Sequence, residues 1–452
     1  MSVILDSYLR SSRYSRGAGS DQLVLETATG LTPQGLFANP VFFSGTINRP
    51  DVAAASLLAL VELASTRYFN PIPGGFASLD PVVTANGDRL RCEVFSACNG
   101  VYARLDLLAQ TFDHASLGFG TTNVDINAAL ARALAGIGAQ DSLHLTVGPD
   151  QVDVTTPQGR FEERKVDLPE RWVRALAETQ SLAAALEVRQ RLDGHGWRRF
   201  VNALPMTGGS GAGVNMWLLP TETGLRQTSR PQSGAIALPG SARLTAIRRV
   251  QHLIEAVHIY GPSVGSGTKA AVSAWEFMLP GARLTLLLSP EPYRGFSGEG
   301  ALLHSLSQAH AGDALTIGAL LAWEAAIDQG ALARESGLSG ERVHHALQLL
   351  ATSGHVGFDL NGQTYFHRQL PYVAARVEAN YPRLVAARAL EQSGAVATDG
   401  ARLRVRSEEH LHWVSFADGV PCCTCYFWSK YKGSRGPCKH ILAAQLFLDN
   451  AS

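Results

Sequence analysis

Four of the six cysteines in this 452-residue chain fall within "CCTCYFWSKYKGSRGPCKH", residues 422–440, which ends on a histidine. The spacing is Cys423-Thr424-Cys425, about a dozen residues, then Cys438-Lys439-His440. Three sulfurs and one imidazole form the donor set that tetrahedral Zn2+ takes in structural sites. Four protein ligands leave no open coordination position, so the ion is expected to hold the fold together rather than activate water. In a reducing compartment clustered cysteines bind metal more readily than they form disulfides. Cys92 and Cys98 stand apart in the sequence and read as core residues.

The flanking residues give the cluster a frame. "RLRVRSEEHLHWVSF" alternates as a strand ahead of the first ligand pair, and "KHILAAQLFL" has a helical apolar pattern after the second. His440 is then expected in the first turn of that helix. At these residues the chain resembles the SWIM zinc finger, whose pattern is C-x-C, a variable loop and C-x-H on a ββα unit. Cys422 lies outside the pattern and either replaces Cys423 as the first ligand or packs. The order of an N-terminal module, "GFGTTNVDIN", "YRGFSGEGALL" and a C-terminal finger is similar to bacterial SWIM-family proteins encoded beside MoxR-type ATPases and von Willebrand A proteins. That resemblance implies a multi-component assembly with the finger as its recognition element. SWIM fingers are associated with both DNA and protein binding.

The loop between the ligand pairs holds Tyr426, Phe427, Trp428 and Tyr431 among Lys430, Lys432, Arg435 and Lys439, with no carboxylate from Pro421 to His440. Aromatic faces beside cations stack on bases and neutralise phosphates. Equally, Phe427 and Trp428 could form the finger's own small core, with the lysines as its solvated surface. Over the whole chain 39 basic residues balance 39 acidic ones. A nucleic-acid partner would therefore have to be read by a local patch.

The length suggests several domains, and pattern divides the chain into four regions. Residues 1–180 mix helix and strand into an α+β part. The apolar run Val52–Ala64 is too short to span a membrane and reads as a buried helix capped by Asp51. Asn123 or Asp125 is placed to cap a helix ending at Gly136 or Gly138. Turns at "GPD" and "PQG" separate strands, and a helix is expected from Leu168, with Pro169 near its first turn. Region 181–297 is expected to open with a charged helix around "EVRQRLDGHGWRRF" and to contain the strand pair "AVSAWEFMLP" and "ARLTLLLSPE". Region 298–375 reads as helix, short helix, turn at Gly337, longer helix and a hairpin across Asn361 and Gly362, suited to a tight type I′ turn. This order looks like a winged helix. Arg342, His345 and Gln348 of the longer helix are left available to a partner, and a structural or protein-contacting wing is favoured over DNA reading. Region 376–452 carries the finger.

Catalytic motifs fail in detail. In "YGPSVGSGTKAA" Thr268 separates Gly267 from Lys269, which breaks the phosphate-loop pattern. In "TGGSGAG" Ala212 stands where a nucleophile elbow needs glycine, leaving Ser210 without a claim. His252, Glu255 and His258 in "HLIEAVH" lack metalloprotease spacing and read as polar residues on an amphipathic helix. Asp113, His114 and Asp125 could share a cleft but are as well explained by caps and turns.

The expectation is an α+β, multidomain, non-enzymatic zinc protein. It comprises a mixed α/β N-terminal part, a winged-helix-like module and a C-terminal ββα finger. The ion is held by Cys423, Cys425, Cys438 and His440. The contact surface comprises Trp428, Lys430, Tyr431, Lys432, Arg435, Lys439 and Arg342. Its partner is nucleic acid, DNA ahead of RNA, or protein, with a MoxR-type ATPase and a von Willebrand A protein as candidates and no membrane. "MSVILDSYLRSSRYSR" has no secretory leader pattern, so a cytoplasmic location is expected. The alternatives are an enzyme with its active site in the N-terminal half, or a pure protein scaffold.

Overall fold

The computed structural model describes residues 7–8, 11–17, 20–28, 30–33, 35–37, 40–68, 81–124, 126–148, 164–165, 170–204, 215–222, 224–268, 270–290, 295–296, 310–370, 382–417, 420–433 and 436–451. The turns expected at 149–150 and 157–159, the helix start at Leu168 and Pro169, and Ser210, Asp125, Lys269 and Arg435 lie outside these residues, as does most of "YRGFSGEGALL".

The chain mixes helices with several sheets. A ten-stranded sheet runs, edge to edge, through Glu187–Asp193, Ala256–Gly261, Ser273–Leu279, Ala282–Leu288, Val101–Leu108, Arg89–Phe95, Val82–Asn86, Phe119–Asn123, Gly30–Thr32 and Gly35–Phe37. Every pairing in it is antiparallel. The strands "AVSAWEFMLP" and "ARLTLLLSPE" pair as expected, Leu279 facing Ala282 across Gly281 at φ +73°, where only glycine is comfortable. Residue 180 does not divide this architecture, because Ala282–Leu288 pairs directly with Val101–Leu108.

Several local expectations are corrected. The helix Pro50–Ser65 buries its apolar residues as read, but Asp51 is no cap: Arg49 occupies that place and donates to Asp51 at 3.0 and 2.8 Å. Proline at the first helical position already fixes the entry. The helix Ala128–Leu134 is capped by Asn127, whose side chain accepts from Leu130 N at 2.9 Å, while Asn123 ends a strand. "EVRQRLD" is the sheet's edge strand rather than a helix, and Asp193 caps the helix Gly194–Ala203 that follows. His252 lies in the 3-10 helix Ser241–Leu253 and His258 in the strand Ala256–Gly261, so no single amphipathic helix joins them. Among the described residues no helix is long and apolar enough to cross a membrane.

The helices Ala311–Leu320, Gln329–Ser336 and Gly340–Thr352 and the hairpin Val356–Asp359 and Thr364–His367 follow in the order read from the sequence. Asp328 and Ser339 cap the second and third helices, and Gly337 ends the second in the left-handed region. The hairpin loop spans residues 360–363 rather than two residues. Asp359 turns inward, accepts from Asn361 N at 3.2 Å, and leaves the positive φ to Gln363.

This hairpin is buried, and charge staples it to the ten-stranded sheet. Asp359 accepts from Arg104 and Arg283 at 3.0 Å each and from Arg89 at 3.3 Å. Arg368 donates to both oxygens of Glu93 at 2.7 Å. Arg104 also reaches Asp106 and the carbonyl of Phe358, and Arg283 lies beside Glu276. A hairpin held this way braces the core instead of projecting from it.

Smaller sheets of five, three and two strands accompany the large one, and towards the C-terminus stands a four-stranded antiparallel sheet of Val396–Asp399, Arg402–Ser407, His410–Ala417 and Val420–Cys423. "RLRVRSEEHLHWVSF" is thus a hairpin and not one strand. Helices Pro382–Gln392 and Lys439–Ala451 pack together against one face. Their shared core joins Leu384, Leu403, Val405, Val414, Ile441 and Leu442 to the three buried cysteines. So small a core gains much from a metal clamp.

Candidate metal centre

Strand and helix ends bring the four donors together. Cys423 closes the strand Val420–Cys423, and Cys425 stands at the start of the short helix Tyr426–Tyr431, its sulfur accepting from Trp428 N at 3.4 Å. Cys438 immediately precedes the helix Lys439–Ala451, and His440 lies in that helix's first turn, as expected. All four side chains are buried, and one ligand atom from each lies within 4.8 Å of the others. Cys423 Sγ is 3.9 Å from His440 Nδ1. A tetrahedron with zinc–sulfur bonds of about 2.3 Å and a zinc–nitrogen bond of about 2.0 Å has edges only slightly shorter than this. The donors therefore fit a structural Zn2+ with no open position.

Cys422 is resolved by the pleat. It pairs with Ser415 on the opposite face of the sheet from Cys423 and is exposed. It does not join the cluster.

The thiols already compete for protons. Hydrogen bonds from Cys423 and Cys438 hold the Cys425 thiol far below the usual range, and the same sharing pushes Cys423 up. Although its contact with Cys423 works the other way, the contact with Cys425 and burial push Cys438 up to about 11. A dication relieves this by accepting all three as thiolates. Three thiolates around Zn2+ leave one net negative charge, and Lys439 and Arg383 line the same cleft of about 350 Å3. The ring of His412 lies 4.1 Å from that of His440, which limits how the ligand imidazole can turn.

The stretch between the ligand pairs is partly a helix. Phe427 and Trp428 are half-buried against the finger's core, so the reading of them as its packing residues describes their placement. Arg383 lies 4.9 Å above the Phe427 ring and donates to Pro437 O at 2.9 Å. Tyr426 is 78% exposed, and Lys430 sits 5.7 Å from its ring and 5.3 Å from that of the half-buried Tyr431. Lys432 is exposed at φ +44° at the helix end. Lys439 is half-buried beside the cleft.

Arg342 is far from this group in sequence and is not freely offered. Its guanidinium binds both oxygens of Asp313, at 2.8 and 2.6 Å. Sequence reasoning also missed Arg383 and His412, whose roles come only from packing. Asp106 and Glu276 of the ten-stranded sheet and Asp359 of the hairpin are buried carboxylates paired with guanidinium groups. They belong to the staple between the hairpin and the sheet.

Residues 412–446 match the family model of the SWIM zinc finger, and this segment of the chain is such a finger. No curated protein matches the chain. Among solved structures, the proliferating cellular nuclear antigen of Entamoeba histolytica is similar over 56% of this chain and 100% of its own, at 12% identity and a TM-score of 0.34. A likeness that low carries no fold assignment.

Proposed function

We propose that this chain is a non-catalytic, zinc-dependent recognition protein whose C-terminal finger contacts nucleic acid, DNA ahead of RNA, or a protein partner. The observation that carries the reading is the closed set of four buried donors at Cys423, Cys425, Cys438 and His440. Such a site fixes a surface and leaves no position for substrate. The surface it fixes includes Tyr426, Lys430, Tyr431 and Lys432, cations set against aromatic rings with one exposed face. The helices and hairpin of 311–367 act in this reading as a brace. The reducing cytoplasm suits reduced ligand thiols. A MoxR-type ATPase and a von Willebrand A protein remain the proposed partners in a larger assembly, which co-purification of the endogenous complex would test.

The binding half of the proposal has a direct test. Lys430→Ala combined with Lys432→Ala should weaken binding to labelled DNA about tenfold and flatten its salt dependence, with zinc content unchanged. Mobility shifts unaltered in that variant would remove nucleic acid from the finger's surface.

A further inference from the structure

The strand Arg402–Ser407 buries Leu403, Val405 and Ser407 and exposes Arg402, Arg404 and Arg406. Across the pleat Arg404 faces Trp413 and Arg406 faces Leu411, so these side chains share one face. Both helices of the unit pack on the other face, beside the ligands. Leu411 is exposed and Trp413 half-exposed. None of the three guanidinium groups has an ion pair or side-chain hydrogen bond among the described residues. Asp399 and Glu408 border the stripe, yet neither approaches a guanidinium closely enough to pair. A cleft of about 550 Å3 opens beside Arg404, Arg406 and Leu411, walled by Ser393, Gly394 and Ala395.

We propose that this open sheet face binds single-stranded nucleic acid, with Arg402, Arg404 and Arg406 along the phosphates and Trp413 stacked on a base. The proposal rests on the zinc-held recognition reading above and names its ligand. Charge selects a polyanion: residues 401–440 carry seven Lys and Arg against three Asp and Glu in a chain that is neutral overall. Alternate residues of a strand stand about 7 Å apart on one face, a step close to that between phosphates of an extended strand. Geometry selects the single strand. Reading a duplex groove needs an element that enters it, whereas a flat sheet with an outward aromatic gives unpaired bases a platform.

The test is fluorescence anisotropy of a labelled oligodeoxythymidylate of about 20 nucleotides, a length that spans such a site. Zinc content and thermal unfolding are measured on every variant. Arg402→Ala, Arg404→Ala and Arg406→Ala together should weaken binding at least tenfold and reduce the slope of log affinity against log salt by about 2, at roughly 0.7 per phosphate contact. Trp413→Ala should weaken it roughly tenfold and Trp413→Phe restore most of it, a pattern that a loss of folding would not produce. Full binding by the triple variant overturns the proposal; if Lys430→Ala with Lys432→Ala then loses binding, the finger reading stands without it. Equal affinity for duplex, or competition by polyglutamate as strong as by the oligonucleotide, also overturns it. So does a zinc-loaded wild type that binds no oligonucleotide, which leaves the finger to a protein partner.

Discussion

Asp359→Ala should lower the free energy of unfolding by about 3–5 kcal/mol, the cost of leaving buried charges without their partner. In the folded chain Arg104 and Arg283 converge on this carboxylate, and all three side chains are largely buried. Burial alone would push the Asp359 carboxyl up, but the Arg104 and Arg283 guanidinium groups hold it well below the usual carboxylate range. The sign of its pH dependence follows. A depressed native pKa contributes stability that is fully present above the unfolded value, near 3.9, and is lost as pH falls through the native one. Stability from this staple should therefore be flat from neutral pH to about pH 5 and fall below it. Asp359→Asn, which keeps an acceptor but not the charge, should lie between wild type and alanine. Urea unfolding measures all three. A loss under about 1 kcal/mol in Asp359→Ala would mean that the hairpin is held by its apolar packing alone.

Stripping the metal should unfold the finger while leaving the ten-stranded sheet in place. Structural zinc contributes apparent binding free energies of about 10–16 kcal/mol in small fingers, and here it joins a short strand, a short helix and a C-terminal helix around few apolar residues. Ligation requires deprotonated thiols and a neutral imidazole, so acid should release the ion as effectively as a chelator. Hydrogen exchange is the readout. After chelation, amides of Lys439–Ala451 and of the strands Arg402–Ser407 and His410–Ala417 should lose protection, and those of Val101–Leu108 and Ala282–Leu288 should keep it. Unchanged protection in Lys439–Ala451 would show that the unit folds without its ion.

The ligand set was legible because its constraint is local: two C-x-C or C-x-H pairs a short loop apart admit few arrangements. The helices of 311–352 were legible for a similar reason, since Asp328, Ser339 and Gly337 mark their ends chemically. The large sheet was not. Val82–Asn86 is buried along its whole length, so no two-residue alternation betrays it, and although the strand Ala282–Leu288 was legible with its hairpin neighbour, its second partner Val101–Leu108 is remote in sequence. Arg91, Arg104 and Arg283 look like surface residues until distant carboxylates bury with them. The arginine face was hidden by a turn without turn residues. Glu408 and Glu409 join Arg402–Ser407 to His410–Ala417, with Glu408 at φ +58°, where glycine or asparagine is the usual signal. Read as one strand, those residues put no arginine opposite Trp413.

The most direct test of the zinc-held finger is the metal content of protein purified without added metal, by plasma mass spectrometry, on wild type, Cys422→Ser and Cys438→Ser. The account predicts about one zinc per chain in wild type and Cys422→Ser, and none in Cys438→Ser, since four closed ligands bind a single ion. A well-folded wild type without metal, or a Cys438→Ser variant that retains it, would contradict the account.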